Sequence, residues 1–273
     1  MEALSMQTEY DFFEYLDRVA ANTWPAESNT MVDQWLIRAS KGITKRANSV
    51  FAIGSFPRDD NWLSHVEQFY HSHGLPAIFH VSSASPDQLD NLLQDQGYEL
   101  DTPCYMMTAN SQQVASYTEE RIKKQYPSAL DLELEITQSV TKEWLDAFLF
   151  LEQYPEERRS FYQGLSDRMP ATKAFVTLKD HGQIVALGTV IVEGEWAGFV
   201  NVIVHEEHRG KGYGYAILHA MTAWSITKGA TQQYLQVIAT NVPAVTLYEK
   251  LGYQVKYGYH YRVKYDLAEL VSS

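Results

Sequence analysis

Hydrophobic and polar positions alternate with two different periods in the C-terminal half of the chain, and those periods divide it into strands and helices. Gln183-Ile-Val-Ala-Leu-Gly-Thr-Val-Ile-Val192 is apolar almost throughout, the pattern of a central strand covered on both faces. Glu193-Gly-Glu195 turns the chain. Trp196 to Val204 then predicts an antiparallel partner, with Val200, Val202 and Val204 on one face and Phe199, Asn201 and Ile203 on the other. After Gly214 the apolar positions Ile217, Ala220, Met221 and Trp224 take helical spacing, and Gly229 is a natural stop. Gln232 to Ala239 predicts a further strand. Asn241 suits the cap of a helix that tolerates Pro243 in its first turn, carries Ala244, Leu247, Tyr248 and Leu251 on one face, and ends at Gly252. Tyr253 to Val255 and Tyr259 to Tyr265 predict a closing pair of strands. Upstream, Asp131 to Ile136 and Thr172 to Leu178 read as strands, and Thr141 to Leu151 and Glu156 to Leu165 as helices.

The first half repeats part of this order. Laying Gly97-Tyr98 on Gly252-Tyr253, 155 residues later, also carries Gly74 onto Gly229, Ala84 onto Ala239 and Leu92 onto Leu247 without a gap. Those matches span a helix-strand-helix-strand unit, which a duplicated fold explains better than coincidence. Trp35 to Val50 predicts a strand hairpin, and Thr102-Pro-Cys-Tyr-Met106 a strand. Ala109 to Ser116 is small and polar and suits a linker. With 273 residues the chain exceeds the usual single-domain size, so domains are expected at residues 1–112 and 117–273. The fold class is α/β (α+β), two mixed sheets flanked by helices.

Charge narrows the partners. Thirty-four acidic residues against 22 basic ones give a net charge of −12, which disfavours nucleic acid and anionic membrane and attracts a cationic substrate. Two short basic clusters, Arg38, Lys41, Lys45 and Arg46, then Arg121, Lys123 and Lys124, read as solvated faces. Cys104 is the only cysteine, so an intramolecular disulfide is excluded; a packed thiol and a cytoplasmic setting are expected. No run of 18 apolar residues and no apolar core near the start predicts membrane insertion or secretion. Among the nine histidines, His71 with His73 and His205 with His208 lack further ligands at zinc-site spacing, and no metal site is expected.

The chemistry concentrates in Arg209-Gly210-Lys211-Gly212-Tyr213-Gly214, set between a predicted strand and a predicted helix. A helix start presents backbone N–H groups and a partial positive charge, and glycines let a pyrophosphate approach the backbone. A P-loop would need Ser or Thr where Gly212 stands, and the spacing is G-x-G-x-G, which departs from the dinucleotide fingerprint. The corresponding stretch of the first half, Gly54-Ser-Phe-Pro-Arg-Asp59, lacks the glycine pattern and is expected to bind no such ligand.

Arg209, Gly212 and Gly214 fit the Gln/Arg-x-x-Gly-x-Gly/Ala signature of the GNAT superfamily of N-acetyltransferases. Asn241, Ala244 and Leu247-Tyr-Glu-Lys-Leu-Gly-Tyr253 fit a second feature of that superfamily. The chain resembles it from about Leu130 to Tyr265, with the first half as a degenerate GNAT-like copy. The resemblance implies a mixed sheet that splays between its fourth and fifth strands to admit the pantetheine arm of acetyl-coenzyme A. Backbone groups of Val202, Ile203 and Val204 would hold that arm, Arg209 to Gly214 the pyrophosphate, Asn241 would belong to the cofactor-binding set, and Tyr248 would stand near the thioester sulfur. The implied reaction is acetyl transfer by direct attack of a primary amine of a small molecule or peptide. Such an amine must first lose a proton, and the departing thiolate gains from an acid, a part that suits Tyr248. The strand Gly198 to Val204 carries no carboxylate, which leaves Glu193, Glu195 and His205 as candidate bases. The alternative is a noncatalytic acyl-coenzyme A sensor. Trp35 and Arg38 are expected to shape the acceptor pocket.

Overall fold

The computed structural model describes residues 2–265, with side chains from Thr8 onward. The first half forms α1 (Glu2–Asn22), β1 (Ser28–Val32), β2 (Trp35–Ala39), β3 (Val50–Phe51), α2 (Trp62–Ser72), β4 (Ala77–Val81), α3 (Leu89–Asp95) and β5 (Glu99–Asn110). Next come α4 (Ser111–Gln125), β6 (Glu133–Thr137), α5 (Lys142–Leu151), α6 (Arg159–Arg168), β7 (Lys173–Asp180) and β8 (Gln183–Glu193). The chain continues through β9 (Trp196–Val204), α7 (Tyr213–Thr227), β10 (Gln232–Ile238), α8 (Val242–Lys250) and β11 (Gln254–Lys264). The class is α/β with mixed strand directions, as the pattern predicts.

Two compact units result. Among the described residues, one takes those up to Tyr105, then Ile238–Thr240 and Tyr257 to Tyr265; the other takes Met106–Val237 and Asn241–Lys256. A boundary read along the sequence at residues 112–117 does not express the return of the C-terminal strand to the first unit. Ala109 to Ser116 is not a linker: it ends β5 and opens α4, where Asn110 caps the helix by accepting the Gln113 N–H at 3.1 Å. Small polar residues serve a helix start as well as a loop, which is why composition misled here.

In the first unit the strand order is β1-β2-β3-β4-β11-β5. Its core gathers Trp35, Trp62, Phe79 and Tyr98, the rings of Trp35 and Trp62 meeting edge to face at 5.0 Å. In the second unit the order is β5-β10-β9-β8-β7-β6. Strand β8 is buried from Val185 to Val192 and pairs antiparallel with both β7 and β9, so its apolar run is that of a central strand. Helix α7 buries Ala216, Ile217, Ala220 and Met221, the face set by their spacing.

The predicted closing pair of strands is one strand, β11. Gly258 keeps an extended backbone within it, and a Cβ there would stand 3.7 Å from the Cys104 carbonyl, so this glycine lies in the ladder rather than in a turn. Cys104 itself is buried. An offset of 155 residues sets Trp62 and Ser72 on Ile217 and Thr227, Leu89 and Asp95 on Ala244 and Lys250, and Glu99 on Gln254, so α2, α3 and β5 fall on α7, α8 and β11. No described helix is long and apolar enough to cross a membrane. No group of three or more His, Cys, Asp or Glu among the described residues could hold a metal.

Candidate functional site

The site of the second unit starts with an interruption in its sheet. Strands β9 and β10 run parallel, pairing Trp196 with Gln232 through Phe199 with Leu235, and the ladder ends there although β9 continues to Val204 and β10 to Ile238. Opposite β8, the register passes from Val200↔Thr189 to Ile203↔Leu187, so β9 carries one extra residue at this point. Asn201 takes the left-handed conformation there, with φ 55°, one that asparagine tolerates better than most residues. The bulge ends the simple alternation predicted for Val200 to Val204, because an inserted residue resets which face each later side chain takes. Beyond the bulge Val202, Ile203 and Val204 are half-buried along an edge that β10 leaves unpaired.

The loop that follows is built as a donor cradle. Glu206–His208 form a short 3-10 turn, and the chain reaches α7 through Gly210 and Gly212, whose φ angles of 79° and 83° exclude most side chains. Gly212 is the N-cap, and its carbonyl accepts the N–H groups of Tyr215 at 3.0 Å and Ala216 at 3.1 Å. The N–H groups just ahead of Tyr215 are first-turn donors, which a helix leaves without an internal acceptor. Arg209, Gly210 and Lys211 are exposed, and a Cβ on Gly210 would meet nothing within 4 Å. Gly212 is covered instead: a Cβ there would fall into the ring of Tyr126, which stacks on Tyr215 at 5.6 Å. Tyr213 donates to Asp180 at 3.1 Å and lies under the His208 ring. An open glycine face, backbone donors and two exposed cations fit a pyrophosphate.

Helix α8 closes the other side. Asn241 accepts the Ala244 N–H at 3.3 Å, so its side chain serves the helix start. A Cβ on Gly214 would lie 3.1 Å from Cδ2 of Leu247 and 4.0 Å from Cγ2 of Val204, which brings α7, α8 and the free edge of β9 to one place. Tyr248 follows Leu247 and is buried, its ring 5.6 Å from that of Tyr253. Tyr253 donates to Gln233 at 2.6 Å, and burial first, then its neighbour Tyr248, pushes its hydroxyl far above the usual range. The candidate bases lie outside β9, just beyond its two ends. Glu193 and Glu195 sit at the hairpin, about 18 Å of strand from the bulge. His205 stands at the loop end, where its Nδ1 accepts the Glu207 N–H at 3.2 Å, a bond that a protonated Nδ1 could not accept.

The counterpart in the first unit is filled. Parallel strands β3 and β4 pair Val50 with Phe79 and Phe51 with His80, and there their ladder ends. Helix α1 lies over the gap. Phe13 packs on Phe51, Ile53 and Ala84, while the Tyr10 hydroxyl donates to Ala84 O at 2.6 Å and accepts the Gly54 N–H at 2.9 Å. Asp17 accepts from Ser82 at 2.5 Å and from Tyr257 at 2.7 Å. Nor is the following loop a cradle, since the Arg58 N–H donates to Asp33 at 2.6 Å. Trp35 and Arg38 are 0% and 4% exposed, so they are core and not the acceptor-facing residues expected from the hairpin. Arg38 donates to Ser49 and lies over the Phe51 ring at 5.1 Å, which removes it from the solvated face read in the sequence. Its neighbourhood of β-branched and aromatic residues was the available signal.

The family described as "Probable histone acetyltransferase Rv0428c C-terminal" matches residues 14–263. The chain is 39% identical to the "Uncharacterized N-acetyltransferase YobR" of Bacillus subtilis (strain 168) over 93% of this chain and 99% of that protein. Over 57% of this chain and 93% of the relative it is 29% identical to an N-alpha-acetyltransferase of Sulfurisphaera tokodaii. Among solved structures, a GCN5-related N-acetyltransferase from Kribbella flavida superposes with a TM-score of 0.66 at 14% identity, covering 97% of both chains. A tandem GNAT protein from the clavulanic acid biosynthesis pathway gives 0.54 at 11% identity, over 76% of this chain and 70% of the other. At such identities the structures speak for the fold.

Proposed function

Because the chain belongs to the GNAT N-acetyltransferases, in the Rv0428c C-terminal family, and is an acyltransferase, we propose that it moves an acetyl group from acetyl-coenzyme A to a primary amine of a small molecule or peptide. The observation that carries this reading is the end of the β9–β10 ladder at Phe199 and Leu235, immediately ahead of the exposed donor loop. Acetyl-coenzyme A, when bound, supplies the electrophilic thioester carbon. Backbone groups of Val202 to Val204, freed from β10, hydrogen-bond the pantetheine amides. Arg209 to Gly214 hold the pyrophosphate with N–H groups and the helix dipole.

The acceptor amine arrives protonated, since its ordinary pKa is about 10.4, and the net charge of −12 favours its approach. It loses that proton to water before attack. Tyr248 donates its phenolic proton to the departing sulfur. The first unit is a duplicate of the second that binds no coenzyme A; the 155-residue offset between their elements and the α1 side chains in its gap support that reading.

The test is a thermal shift with coenzyme A, which stabilises only a chain that binds it when folded. Gly210→Asp is expected to abolish the shift by placing a carboxylate among the donors; the open space at Gly210 makes it a cleaner variant than one at Gly212, where the side chain would also collide with Tyr126. A full shift in folded Gly210→Asp would move the cofactor elsewhere. Thiol release across an amine library then reads turnover, and binding without release on any amine would return the reading to a binding module.

A further inference from the structure

Along α4 and the end of α8 the second unit carries a groove of about 720 Å³, into which Tyr117, Arg121 and Lys124 of α4 and Lys250 of α8 project. Two carboxylates, Glu120 and Glu249, share its walls. Three cations against two carboxylates invert the local balance of a chain whose net charge is −12. The cations are not equivalent. Lys124 is held by Glu120 at 2.7 Å, while Arg121 and Lys250 pair with no carboxylate among the described residues. An unmatched arginine and lysine facing one polar groove from two helices suit a compact anion, the guanidinium offering a fork of donors to phosphate oxygens.

The groove adjoins the donor loop. Tyr126, the residue after α4, lies against Gly212 and stacks on Tyr215, the third residue of α7. The charge of Arg121 acts on the same Tyr215 hydroxyl. At the far end Gly252 lets the two helices meet, since a Cβ there would stand 3.2 Å from the Tyr117 ring and 3.3 Å from Gln113. Tyr117 is 40% exposed, which leaves part of it open to a flat heterocycle.

In coenzyme A the pyrophosphate and the 3′-phosphate hang from one ribose, so a seat for the second must lie within a ribose's reach of a seat for the first. We infer that this groove is that seat: Arg121 and Lys250 bind the 3′-phosphate, and Tyr117 stacks the adenine. The inference rests on the coenzyme A reading above and adds that α4, an element outside the GNAT motifs of this chain, selects the phosphorylated form of the cofactor.

Calorimetric titration of the full chain with coenzyme A and with 3′-dephospho-coenzyme A tests it. Wild type is expected to bind coenzyme A roughly tenfold or more tightly than the dephospho form, the scale of charge-assisted phosphate contacts. The double variant Arg121→Ala, Lys250→Ala is expected to bind both forms alike, at the wild-type affinity for the dephospho form, and this unchanged value certifies an intact fold and loop. Equal wild-type affinities, or discrimination that survives in the double variant, would overturn the assignment of the groove while leaving the cofactor reading in place. Failure of wild type to bind either form would instead overturn the cofactor reading, and the groove assignment with it.

Discussion

The two parallel strand pairs, β3–β4 and β9–β10, stop pairing at matching points, yet the space beyond is used in opposite ways. His80 and Leu235 stand 155 residues apart, and each is the last residue its strand pairs with its parallel neighbour, β3 or β9. In the second unit the freed edge leads into a loop of exposed glycine and cations. In the first, α1 fills the gap with Phe13, Tyr10 and Asp17, and the Gly54 N–H is bound by the protein itself. On the helix the difference is one of chemistry: the residue 155 positions before Tyr248 is Leu93, buried like it but without a hydroxyl. An opening becomes a ligand site only if nothing in the chain satisfies its donors first.

Removing the first half puts the largest strain on this comparison. A chain of residues 117–273 lacks the Met106–Asn110 end of β5, which lies beside β10 in the second unit, and lacks β4, the partner of β11 from His260 to Lys264. Two bared edges are expected to drive it into aggregates. Size-exclusion chromatography and circular dichroism read the outcome; a soluble, folded fragment with wild-type coenzyme A affinity would show the units to be independent.

A smaller effect separates Tyr248 from its counterpart. Tyr248→Phe is expected to lower kcat about 10²-fold with coenzyme A affinity retained, as for loss of a general acid. Steady-state kinetics beside a binding isotherm check it, and an unchanged kcat would leave Tyr248 with packing alone.

The smallest effect lies in the filled gap. Burial raises the Asp17 carboxyl to about 6, against which its bonds to Ser82 and Tyr257 work, and burial lowers His80 to about 3. Asp17 therefore stabilises the fold most at low pH, and that stability is lost as pH rises toward about 6. His80 behaves oppositely, losing stability as pH falls from its ordinary value of 6.5 toward about 3. Between about pH 4 and 6 the two slopes offset each other. Asp17→Asn removes one of them, so its melting temperature is expected to rise with pH across that window relative to wild type, by about 1 kcal/mol of stability per pH unit. Parallel pH profiles for variant and wild type would show that Asp17 titrates normally.

Much of this was written locally in the chain. The apolar run of β8, the helical spacing of α7, the Asn241 cap and the glycines that end α7 and α8 each act within one or two turns of backbone, where sequence neighbours are also spatial neighbours. The glycine-rich start of α7, from Arg209 to Gly214, was legible for the same reason. The placement of Arg121 in the groove and of Tyr126 over Gly212 was not, because both depend on α4 packing beside α7, and their own segment reads as an ordinary polar helix end. The sequence by itself determined the elements, their order, and which half carries the glycine-rich helix start. Tertiary structure alone decided that β11 pairs with β4, that Asn201 bulges β9, and that α1 occupies the first unit's gap. Strand partners and the filling of a gap are contests among segments far apart in the chain, settled by which apolar surfaces and backbone donors meet once it is folded.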